Sequence, residues 1–89
     1  MLETFEKKIT HYNNVIIPIL NRPEKKSILI AICEKYSSSY NKKIACKSRS
    51  TPVSNILEQL LRIDFDNKEN TIEEEIADRF EIEMYGSAN

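Results

Sequence analysis

Apolar residues in this chain recur three and four positions apart through most of its length, and that spacing belongs to the α-helix. From Leu2 to Leu20 the stripe is Leu2, Phe5, Ile9, Tyr12, Ile16, Ile19 and Leu20. Pro18, near its end, should kink or stop the last turn, and Asn21-Arg22-Pro23 reads as a connector. Pro23 suits the first turn of a second helix, with Asn21 or Arg22 before it and Ile28, Leu29, Ile32, Cys33 and Tyr36 along one face. The run Ser27 to Ile32 would also serve as a short apolar strand, but its flanks contain no turn residues and favour helix. Ser37-Ser38-Ser39 is expected to end this helix, because serine hydroxyls compete for backbone hydrogen bonds.

A short helix then fits residues 40 to 47, carrying Tyr40, Lys43, Ile44 and Cys46 or Lys47, before a break at Ser48 to Ser50. Thr51-Pro52 is a helix start, with threonine as N-cap and proline at the first helical position, ahead of a stripe of Val53, Ile56, Leu57, Leu60 and Leu61. Asp64 to Asn70 is polar and turn-prone. Thr71 with Glu74 then forms a capping-box signature before Ile72, Ile76, Ala77, Phe80 and Met84. The expected fold is therefore all-α, a small bundle of about five helices near 2–20, 23–36, 40–47, 52–62 and 71–85, in one domain over residues 1–89, with Gly86 to Asn89 frayed. Its core should comprise Leu2, Phe5, Ile9, Ile16, Ile28, Ile32, Ile44, Ile56, Leu57, Leu60, Ile76 and Phe80.

Charge divides the chain at Arg62. Residues 1–62 carry 11 Lys and Arg against 5 Glu, a net of +6, and residues 63–89 carry 2 basic against 9 acidic residues, a net of −7. Lys35, Lys42, Lys43, Lys47 and Arg49 concentrate the basic excess, which points toward a polyanionic partner. Several function classes have no support. The single glycine, Gly86, leaves no glycine-rich loop for a phosphate, and no uncharged apolar run approaches the ~20 residues that span a bilayer. Nothing resembles a secretory signal, so the expected location is the cytoplasm, where Cys33 and Cys46 would be free thiols. These two cysteines and the distant His11, read as a surface or boundary residue, do not make a zinc site, and no cofactor is expected. No nucleophile with a partnered base appears, and Glu73-Glu74-Glu75 suits the positive end of a helix dipole, so an enzyme is not expected.

Ile44-Ala45, a serine-rich turn, and then Ser50-Thr51-Pro52-Val53-Ser54-Asn55-Ile56-Leu57-Glu58-Gln59-Leu60 resemble the helix-turn-helix segment of winged-helix transcription regulators. With the upstream helix from Ile28 to Tyr36, the resemblance covers about residues 24 to 62. Between Ala45 and Ser54 the chain is about two residues shorter than the family pattern, and Ser48 and Arg49 replace the usual turn glycine. A wing could begin at Ile63 and Phe65, although the capping box at Thr71 argues for helix. The resemblance implies a small DNA-binding regulator of transcription or replicon maintenance acting on double-stranded DNA. Separately, the apolar helix faces are many and the short chain gives each helix few neighbours, so the expected assembly is a two-fold homodimer.

Helical geometry turns Thr51, Asn55, Glu58 and Arg62 outward, flanked by Ser54 and Gln59, where Asn and Gln have the chemistry to pair with adenine. Lys42, Lys43, Lys47 and Arg49 would meet phosphates beside them. A second DNA-binding reading is a ribbon-helix-helix protein with a strand from Lys26 to Ile32, whose alternate side chains offer few hydrogen bonds. The rival class is a protein-interaction module. The acidic last helix has an apolar edge of Ile72, Ile76, Phe80, Ile82, Met84 and Tyr85, more than a thin bundle should bury, so Ile72, Ile76, Phe80 and Met84 are candidate partner contacts.

Overall fold

The structure, a computed structural model, describes residues 4–44 and 51–84. Leu2, Ala45, Cys46, Lys47, Ser48, Arg49, Ser50, Tyr85 and the last four residues lie outside the described residues. Among the described residues the chain is mostly helical and contains no strand, as the three-and-four spacing requires.

The first helix, α1, starts where the Thr4 hydroxyl accepts from the Lys7 amide at 3.2 Å. It is α-helical over Phe5–His11, widens into a π-helical turn over Tyr12–Ile16, and closes as Ile17–Leu20. The wide turn precedes Pro18, which has no N–H to give to residue 14 and whose ring crowds that carbonyl. Skipping one rung of the ladder keeps the helix going through the proline. Tyr12, Ile16 and Leu20 can then all face inward.

Helix α2 spans Pro23–Ser39, so the three serines lie inside it. A tertiary contact and a local one hold this end: the Tyr36 hydroxyl bonds Glu75 on α4, and the Ser37 hydroxyl donates to the Lys42 carbonyl just past the helix. The region from Lys26 to Ile32 is helix, which removes the strand that a ribbon-helix-helix fold needs. Residues 40–44 are turn and coil, with Asn41 in the left-handed region at φ 51°. The expected helix over 40–47 therefore does not form in its first five residues. Helix α3 spans Val53–Asn67, with Pro52 rather than Thr51 at its N-cap and no side-chain cap. It continues five residues past Arg62 because Ile63 and Asp64 are buried, and the helical path through Asn67 leaves no hairpin there. Lys68 stops it in the left-handed region, giving its amide to the Asp64 carbonyl at 2.6 Å.

Helix α4 spans Thr71–Phe80, five residues shorter at its end than the 71–85 expectation. Its N-terminus also differs from the capping box. Asn70 stands at the N-cap without a side-chain bond, and the Asp64 carboxylate on α3 accepts from the Ile72 and Glu73 amides at 3.2 and 2.7 Å. Glu81 ends the helix at φ 52°, with the Ile82 amide bonded to the Ala77 carbonyl.

Among the described residues helix α3 touches each of the other helices and is the centre of the bundle. Ile56, Leu57, Leu60 and Leu61 on α3 meet Leu29, Ile32, Cys33 and Tyr36 on α2, with Ile72, Ile76 and Phe80 from α4. Each fully buried Leu or Ile here contributes ~1.5–3 kcal/mol relative to exposure. Of the expected core, Phe5, Ile9, Ile28 and Ile44 lie at its margin, only half-buried. Tyr12, Leu20, Leu29, Cys33, Tyr36, Val53, Leu61, Ile63, Ile72 and Met84, absent from the expected core, complete it, all but Ile63 from the apolar stripes.

Candidate functional site

The basic half of the sequence folds against the acidic half. Lys8 on α1 reaches Glu73 on α4 at 2.8 Å, with Glu73 only 1% exposed. Lys35 on α2 lies 2.9 Å from Glu75, whose same oxygen accepts from the Tyr36 hydroxyl at 2.5 Å, and Arg79 closes on the other oxygen at 3.1 Å. Lys25 sits 5.3 Å above the Phe80 ring. Partial burial alone would raise the Glu75 pKa, but the hydrogen bonds from Tyr36 and Lys35 outweigh it and hold this carboxyl below its usual range. Burial first, and then the bond to Glu75, push the Tyr36 hydroxyl far above the usual tyrosine value. Tyr40 is raised as well, chiefly by its 2.9 Å bond to Glu69. Desolvation raises Asp64, against the pull of the two amides it caps.

This pairing changes the reading of the proposed DNA face. Lys42 and Lys43 are exposed, whereas Lys47 and Arg49 lie outside the described residues. Ser54 and Asn55 are exposed and Thr51 and Gln59 half-buried, but Gln59 donates to the Asn55 side chain at 2.7 Å and its carbonyl at 3.2 Å. The two adenine-pairing candidates thus engage each other. Arg62 turns back over the Phe5 ring at 4.3 Å and lies 3.9 Å from Glu58. The same exposed strip carries Glu58 and Asp66, two carboxylates that would face phosphate.

On the C-terminal helix the four expected partner contacts are corrected by their burial. Ile72, Ile76, Phe80 and Met84 all lie in this chain's own core, at most 5% exposed, because α4 packs its apolar edge into the bundle. What α4 offers outward is polar. Glu74, Asp78, Glu81 and Glu83 are exposed around an open groove of about 820 Å³ whose lining also includes the half-buried Glu75, Ala77 and Ile82. The sequence shows these carboxylates as a charge run; the left-handed turn at Glu81 ends α4, and Ile82 and Glu83 line the groove from beyond it. His11 is half-buried as expected, with Nε2 shielded from water and lacking a hydrogen-bond partner.

No protein-family model, no curated protein and no solved structure matches this chain. Among the described residues no helix is long and apolar enough to cross a membrane, and no group of three His, Cys, Asp or Glu side chains is placed to hold a metal ion.

Proposed function

We propose that this chain is a small helical protein-interaction module whose C-terminal helix holds a lysine- or arginine-rich amphipathic segment of a partner protein. The observation that carries the proposal is the acidic groove on α4, with exposed carboxylates around Ala77 and Ile82. An amphipathic basic segment matches it in both respects, setting apolar side chains on the floor and cations against the rim. The alternative of a DNA-binding regulator loses Lys35 from its basic excess, because that charge pairs with Glu75. It retains Lys42 and Lys43.

The test titrates the protein at about 0.15 M salt, where charges more than ~8 Å apart are screened, with a fluorescent helical peptide of leucine and lysine and, separately, with random duplex DNA. The peptide should bind, and the Glu74→Gln, Asp78→Asn, Glu81→Gln triple variant should lose roughly tenfold or more in affinity, about 1.4 kcal/mol. All three positions are exposed, so this variant leaves the core untouched. A DNA mobility shift at tens of micromolar protein that Lys42→Ala with Lys43→Ala abolishes, together with no peptide binding, would replace this reading with the DNA-binding one.

A further inference from the structure

A second surface stands apart from the acidic groove. Phe65 on α3 is 45% exposed and meets Phe5 on α1 edge-to-face at 5.5 Å between centroids, and the Arg62 guanidinium covers Phe5. An exposed aromatic ring backed by a half-buried one, with an arginine beside them, presents the residue types that dominate interface energetics. Val15 and Ile19 expose aliphatic surface to a similar extent, but Asn14 and Pro18 beside them are uncharged and specify no occupant.

The charges around Phe65 do specify one. Arg62 is more than half exposed, and its nearest carboxylate, Glu58, is beyond hydrogen-bond distance at 3.9 Å. Asp66 is exposed one turn further along α3 and pairs with no cation among the described residues. The spacing would let Arg62 reach Asp66 within one helix, yet the guanidinium is turned toward Phe5. One patch therefore holds an apolar centre with an under-used cation on one side and an under-used anion on the other. A two-fold contact requires a patch complementary to itself in this way.

We infer that a second copy of this chain docks on the Phe5, Phe65 and Arg62 patch, with the two α3 helices antiparallel about a two-fold axis near residue 64. At 1.5 Å per residue this register sets Arg62 of each copy opposite Asp66 of the other. The two Phe65 rings flank the axis, each backed by its own Phe5. The aromatic groups form the dry centre and the two ion pairs its rim.

Analytical ultracentrifugation over a concentration series tests this on the full chain, with circular dichroism to establish that each variant is folded. The wild type should dimerise in the micromolar range, and Phe65→Glu should weaken dimerisation roughly a hundredfold, as for loss of a central aromatic anchor. Arg62→Asp alone and Asp66→Arg alone should each weaken it about tenfold, because each places like charges opposite one another. The double variant Arg62→Asp with Asp66→Arg should recover most of the affinity. A wild type that remains monomeric at several hundred micromolar overturns the proposal, as does a Phe65→Glu dimer of unchanged affinity or a double variant no better than the singles. Peptide binding at α4 should be the same in Phe65→Glu, so failure of one proposal is distinguishable from failure of the other.

Discussion

Helices α3 and α4 both bury an apolar face in the same core, but different interactions hold them. Helix α3 buries Val53, Ile56, Leu57, Leu60, Leu61 and Ile63, and its one buried charge, Asp64, lies near its C-terminal end. Helix α4 is shorter, 10 residues against 15, and buries three large apolar side chains together with Glu73, while Glu75 is half-buried beside them. Apolar area is non-directional, so it gives α3 adhesion without dictating its exact seating. The charged contacts of α4 are directional: Lys8, Lys35 and Tyr36 each meet a particular carboxylate, and Asp64 meets two particular amides. Adhesion dominates at α3, and at α4 matched polar groups set the seating and leave the remaining carboxylates outward.

The largest effect should come from the apolar side of this contrast. Leu57 is 1% exposed at the centre of the bundle, and Leu57→Ala should cost ~2–5 kcal/mol by urea denaturation, for lost transfer energy and the cavity left behind. A loss below about half a kcal/mol would mean that α3 does not carry the core. On the polar side, Lys8→Met keeps the aliphatic length but removes the ammonium beside the buried Glu73 carboxylate. It should cost about 3 kcal/mol, most of it for removing the ammonium 2.8 Å from a desolvated carboxylate. Lys8→Met combined with Glu73→Leu should recover much of that loss, whereas no substitution at Glu73 should rescue Leu57→Ala.

The period of the apolar residues made the four helices among the described residues legible, together with the inward stripes of α2 and α3. The helix ends were less legible, because distant residues hold them. Three serines argue locally for a stop at Tyr36, and the bond from Tyr36 to Glu75, 39 positions away, overrides them. Thr71 and Glu74 argue for a local cap, whereas the cap comes from Asp64, a residue whose polarity suggested a loop. The charge division at Arg62 is plain in the sequence, but its internal neutralisation is not: Lys8 and Glu73 are 65 positions apart. The basic excess therefore looked available to a polyanion. In the same way, the apolar edge of α4 looked surplus until its packing across α2 and α3 placed Ile72, Ile76 and Phe80 inside.

Tyr36→Phe sharpens the comparison through pH. The variant removes the hydroxyl that Glu75 accepts from, and between about pH 5 and 9 it should cost roughly 1–2 kcal/mol. The Glu75 carboxyl titrates below its ordinary 4.5 in the folded state, so the stability it contributes is present above that value and is lost as pH falls through the lowered one. Tyr36 titrates above its ordinary 10.0 when folded, so its contribution is complete below pH 10 and declines as pH rises beyond, where the unfolded chain ionises first. The wild-type advantage over the variant should thus form a plateau that narrows at both ends. An advantage independent of pH from 3 to 11 would show that the Tyr36–Glu75 bond does not form.

The smallest effect should have the opposite sign. Glu81 is in the left-handed region at φ 52°, where a side chain with a Cβ costs ~1–2 kcal/mol relative to glycine, and its charge lies at the negative end of the α4 dipole. Glycine at this position gives back part of that gain through the greater freedom of its unfolded chain, ~0.5–1 kcal/mol. Glu81→Gly should therefore stabilise the protein by about 0.5–1 kcal/mol, seen as a higher urea midpoint at unchanged slope. Glu81→Asn should fall between the two, because asparagine tolerates this conformation better than glutamate. Both variants also take a carboxylate from the rim of the groove, so each should bind the leucine-lysine peptide more weakly while being more stable. A stabilised Glu81→Gly protein with undiminished peptide affinity would confine Glu81 to ending the helix and move the binding surface toward Glu74 and Asp78. Joint loss of affinity and gain of stability would mean that α4 carries this strain for the sake of its outward charge.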